Sequence, residues 1–157
     1  MAECRIFHLT PYPSPAMFNP SRADVRRFFF DAWGKYRSQA PLAGLERTAV
    51  EIVLLHPEYH PLLDDAERNL DRDYSPDSGK LNPFLHLSLH LAIAEQVSID
   101  QPRGIRALHE QLQAMQGTHD AQHVLLECLG ETVWQAQRTG TAPDEAAYLN
   151  CIRRGLG

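Results

Sequence analysis

The chain has 157 residues, with 15 basic against 20 acidic side chains and a formal charge of −5. That length suits one ordinary domain, able to bury roughly two-thirds of its unfolded surface with no disulfide or metal to hold it. The acidic balance argues against a nucleic-acid partner or an anionic membrane surface, which both select basic faces. No apolar run approaches the roughly 18 residues of a membrane helix.

Residues 1–16, MAECRIFHLTPYPSPA, alternate Pro11, Pro13 and Pro15, which favours an extended backbone, so we expect an N-terminal tail. Met17 opens the patterned sequence and is a candidate start, and the domain is expected to span 17–157. The tail has no apolar segment of the secretory kind. The three cysteines, Cys4, Cys128 and Cys151, form no CxxC pair. Both points lead us to expect a cytoplasmic protein with reduced thiols.

A first helix is predicted over Ser21 to Arg37, with Ser21 as N-cap and Asp24 in a box-like position. Val25, Phe28, Phe29, Ala32, Trp33 and Tyr36 share its core face. A second helix, Leu42 to Leu55, places Leu45, Thr48, Ala49, Ile52 and Leu55 inward. His56 lies on the same face, but Pro57 disfavours helical geometry there and ends the helix. PEYHPLL reads as a short helical turn and residues 64–81 as a long polar connection. A third helix starts with Asn82 as cap and Pro83 at its first position and runs to about Val97. Gln101-Pro102 breaks the chain. A fourth helix, Arg103 to Met115, is ended by Gly117, and a fifth, capped by Thr118, runs to Arg138 before Gly140. A last short helix starts at Pro143 and Asp144 and ends near Arg153. With no hairpin or βαβ signal, the expected fold is all-α: a single-domain bundle of about four long helices and one or two short ones.

Six of the eight histidines fall in three HxxxH pairs. On the third helix His90 lies about 40° from His86, and Ile93 about 20° to the other side, so both imidazoles sit within an apolar stripe. Side chains at i and i+4 project from one face and can share an ion. The competing reading is two core histidines hydrogen-bonded to carbonyls or carboxylates. The fifth helix carries His119, His123, Glu127 and Glu131 at four-residue steps, bordering the apolar side made by Leu125, Leu129 and Val133. HxxxE, here His123 and Glu127, offers one metal a nitrogen and an oxygen. Gly130 within this strip would let another helix approach closely. His56 and His60 form the third pair, distorted by prolines. Cys128 points away from the histidine strip and reads as a small packing residue.

The expected ligand set is His86, His90, His123, Glu127 and His56, with His60, His119 and Glu131 as weaker candidates. Imidazole and carboxylate suit zinc, iron, nickel or manganese alike. An open coordination position would allow hydrolytic or group-transfer chemistry, but no catalytic residue or substrate can be named. There is no phosphate loop, no GxSxG and no CxxC. The alternative is a non-catalytic interaction or adaptor protein with a buried His–Glu network, taking a protein partner or a second copy, with Arg103, Arg106 and Gln111 as a candidate patch. A pH-responsive bundle is a third reading.

The segments MFNPSRADVRRFFFDAW, LLHPEYHPLL, NPFLHLSLHLAIAEQVSIDQPRGIR and HDAQHVLLECLGETVWQAQRTG resemble a bacterial family known as domain of unknown function 1841, over about Met17 to Arg153. The resemblance implies a cytoplasmic bacterial setting and brings no activity. More loosely, inward histidines on several helices are similar to hemerythrin-like and DinB-like metal-binding bundles, at the level of fold alone.

Overall fold

The computed structural model describes residues 15–72 and 82–157. Among them are eight α-helices and no strand, so the fold is all-α. The helices are α1 (Pro15–Arg37), α2 (Leu45–Leu54), α3 (His60–Leu63), α4 (Ala66–Asn69), α5 (Pro83–Ile99), α6 (Ile105–Gln116), α7 (Thr118–Thr139) and α8 (Glu145–Arg154), with a 3-10 turn at Pro57–Tyr59. The described residues form two compact units, one up to Leu91 and one from Ala92, divided within α5. The expected tail lies outside the described residues, apart from its last two, which belong to α1. No helix among the described residues is long and apolar enough to cross a membrane.

In the N-terminal unit α1 packs on α2. Phe29, Phe30, Ala32 and Trp33 of α1 form one cluster with Ala49, Val50, Ile52 and Val53 of α2, Leu63 of α3, and Phe84 and Leu87 of α5. The Phe30 and Phe84 rings meet at 5.5 Å between centroids. Trp33 is further fixed by its indole N–H, which donates to Asp64 Oδ1 at 2.8 Å. Tyr36, expected in the same stripe, is 40 % exposed and merely stacks on the Trp33 ring. It sits at the last turn of α1, where the core has ended. Leu45 and Leu55, expected inward, are likewise exposed at the two ends of α2.

Local chemistry explains most of the boundaries. Asn82 Oδ1 accepts from the N–H groups of Phe84 and Leu85, satisfying two of the orphan donors that open α5. Asp144 caps α8 in the same way through Ala147 N–H. Gly140 ends α7 with φ 66°, a left-handed conformation that costs glycine nothing. Two starts differ from the expectation: α1 runs through Ser21 rather than beginning after it, and Thr118 is the first residue of α7, with Gly117 at the cap position. Proline is tolerated at the first turn of a helix, and Pro15 takes that place in α1.

In the C-terminal unit α6, α7 and α8 pack pairwise. Ile105, Leu112, Leu125, Leu129, Val133, Tyr148 and Ile152 are fully buried. Among the described residues nothing lies within 4 Å of where a Cβ on Gly130 would sit, so the expected close helix approach is not found there. Gly155 is the glycine that packing requires, because a Cβ there would lie 2.8 Å from Val124 Cγ1. Cys128 is not a plain packing residue: it is disulfide-bonded to Cys151, joining α7 to α8. Helical direction placed Cys128 correctly off the histidine strip, but it carried no information about which residue of α8 would face it. Within the proposed Arg103, Arg106 and Gln111 patch, Arg106 is committed to structure, since its guanidinium donates to the carbonyls of Val97 and Ser98 at the end of α5.

Candidate metal centre

In the N-terminal unit, α5 places His86 and His90 one turn apart on one face, as a 3.6-residue period dictates. The third imidazole comes from the end of α2. Pro57 blocks helical geometry at its predecessor, and His56 leaves the helix with φ −126° and ψ 67°. Its Nδ1–H turns back to donate to the carbonyl oxygen of Ile52 at 2.8 Å. The three rings then converge. His86 Nε2 lies 3.1 Å from His56 Nε2 and 3.2 Å from His90 Nε2. His56 and His90 offer ring nitrogens within 4.8 Å of one another. His56 and His90 are buried and His86 is partly so.

The proton placement is constrained. A ring nitrogen offers one in-plane position, filled by a proton or by a lone pair. A carbonyl only accepts, so His56 Nδ1 carries the proton and the neutral ring keeps its lone pair on Nε2. His86 Nε2 meets two neighbouring Nε2 atoms, and its single in-plane position cannot make a full hydrogen bond to both. A cation between the rings would take the His56 lone pair and, with His86 and His90 protonated on Nδ1, theirs as well. Two nitrogens on one ion at about 2.0–2.1 Å are about 3.3 Å apart in a tetrahedral shell and about 3.0 Å apart when cis in an octahedral one. The observed contacts fall between these values, so they suit an ion without choosing its geometry.

Tyr59, which the sequence did not single out, walls this cluster. The 3-10 turn after His56 stacks its ring on the His56 imidazole, 5.6 Å between centroids and 9° from parallel, and edge-on to His86 at 6.0 Å. Burial raises the pKa of its phenol, with a smaller push from Glu58. The signal available in the sequence was the PEY turn itself, which returns residue 59 over residue 56.

His60 Nε2 donates to the carbonyl of Val53 at 2.9 Å, and its ring packs on Trp33 at 4.6 Å, so it braces the turn. In the C-terminal unit the His119 and His123 rings are 4.3 Å apart on α7 and offer nitrogens within 4.8 Å of one another. Glu127 and Glu131 on the same helix are exposed, and Glu131 accepts from Gln135 Nε2 at 3.1 Å. His109, unpaired in sequence, is buried in α6, and desolvation lowers its pKa against a smaller opposing pull from Glu110.

A family model described as a domain of unknown function, DUF1841, matches residues 21–154, most of the chain. No curated protein and no solved structure matches it.

Proposed function

The chain belongs to the DUF1841 family, and we propose that it is a metal-binding protein whose centre is built on His56, His86 and His90. The observation that carries this reading is the approach of His86 Nε2 to the Nε2 atoms of both His56 and His90, at 3.1 and 3.2 Å. Buried imidazoles that served only as packing would be expected to find separate carbonyl or carboxylate partners. The Ile52 carbonyl supports the reading too, because a fixed Nδ1–H is the usual outer partner of a histidine that ligates through Nε2.

Three neutral imidazoles leave the charge of a divalent ion uncompensated and fill only part of its shell. The remaining positions are open to a further side chain or to water, and a bound water in such a site is acidified. That is the requirement for hydrolytic or group-transfer chemistry. His119 and His123 stay candidates for further donors, supported by ring nitrogens within 4.8 Å of one another on α7, and Glu127 and Glu131 on their sequence pattern. Zinc, iron, nickel and manganese all accept such ligands.

Elemental analysis of untagged protein grown with all four metals tests the proposal. Wild type is expected to carry metal near stoichiometry, and His86→Ala and His90→Ala to lose it. Wild type free of metal, or both variants loaded as fully as wild type, would overturn the assignment. His123→Ala in the same series reports whether the α7 pair contributes.

A further inference from the structure

We propose that the Cys128–Cys151 bond is a thiol-exchange site, at which a small zwitterionic peptide thiol of the glutathione type forms a mixed disulfide with Cys151. The two halves of this bond are unequal. Cys128, in the middle of α7, is 4 % exposed. Cys151, on α8, is only partly buried and lines an open cleft of about 340 Å³ between the C-terminal half of α7 and α8. Cys128 takes no part in that lining. A solute in the cleft therefore meets Cys151 and not its partner.

The cleft has the size and chemistry of a small-molecule site, at the lower end of the roughly 300–1,000 Å³ such sites span. Its wall includes Arg154, one turn beyond Cys151, and two carboxylates, Glu131 and Asp144. Between them lie Gln135 and Thr139, with amide and hydroxyl groups. A peptide thiol of this class brings carboxylates for Arg154, an ammonium for Glu131 or Asp144, and amides for the uncharged donors and acceptors. The site lies wholly in the C-terminal unit, includes none of His56, His86 and His90, and does not depend on metal.

The exchange balances without an external oxidant. The incoming thiol gives its proton to solvent, and its thiolate attacks Cys151 Sγ in line with the Cys151–Cys128 bond. That bond breaks as the new sulfur–sulfur bond forms, and Cys128 leaves as a thiolate that takes up a proton. The products are a mixed disulfide at Cys151 and a buried thiol at Cys128, with the covalent tie between α7 and α8 released.

The test uses the full-length chain carrying Cys4→Ser, oxidised, then incubated with reduced glutathione, acid-quenched and mapped by peptide mass. The expected product is one glutathione on Cys151 and a free Cys128 thiol. Arg154→Gln keeps the disulfide and changes an exposed side chain. It is expected to slow adduct formation about fivefold with glutathione, the scale of one exposed charge contact, and to leave the rate with 2-mercaptoethanol unchanged. Raising the salt concentration on the unsubstituted cleft should likewise slow glutathione and spare mercaptoethanol. An adduct on Cys128, an adduct only in urea, or equal effects of Arg154→Gln on both thiols would overturn the proposal.

Discussion

The Nδ1–H of His56 ends on the carbonyl oxygen of Ile52, one turn back, at 2.8 Å. This bond joins the Leu55 N–H, which donates to the same carbonyl at 3.1 Å, in closing the end of α2, and it also aims Nε2 at His86. One side chain thus serves as helix cap and as candidate ligand.

Metal should therefore stabilise the fold. An ion present at about 100 times its dissociation constant adds about 2.7 kcal/mol, or roughly 5–10 °C in a chain of this size. Chelator treatment followed by thermal melting with and without added zinc should show that rise in wild type and none in His86→Ala. An unchanged midpoint in chelated wild type would count against a bound ion.

Phe29 and Trp33 are 0 % and 2 % exposed at the centre of the N-terminal core. Phe29→Ala or Trp33→Ala should cost about 3–5 kcal/mol in urea unfolding. The tryptophan change also leaves Asp64 without its indole donor. A loss below about 1 kcal/mol would mean that this face of α1 does not hold the core.

Tyr148, fully buried on α8, donates its hydroxyl to Gln96 Oε1 at 2.7 Å, and burial raises its pKa. Tyr148→Phe leaves that acceptor unsatisfied and should cost about 1–3 kcal/mol. Adding Gln96→Leu removes the stranded amide, so the double variant should be more stable than the sum of the singles. Additive losses would show the bond to be energetically idle.

Burial depresses the His109 pKa, so the folded protein holds the ring neutral, whereas the unfolded chain takes up a proton below about pH 6.5. The stability linked to this group is full above that value and is lost progressively as the pH falls towards the lower, folded value. Its buried Nε2 also finds no hydrogen-bond partner among the described residues. In chelator-treated protein, His109→Leu should shrink the drop in melting temperature between about pH 7.5 and about pH 5. An equal drop in both proteins would contradict the shifted pKa.

What the sequence determined by itself is local. The 3.6-residue period put His86 and His90 on one face of α5, Pro57 ended α2 before His56, Asn82 and Pro83 started α5, and Asp144 started α8. Each follows from steric and hydrogen-bonding rules acting within one or two turns. The tertiary structure alone decided which rings meet. His56 reaches His86, 30 residues away, only because the end of α2 is folded against α5, and His60 turns instead to the Val53 carbonyl and the Trp33 ring. The same holds for Cys151 opposite Cys128, 23 residues apart. A step of one residue rotates a helical side chain by about 100°, so a periodic pattern shows which way a residue points on its own helix, and only packing between helices shows what stands there to meet it.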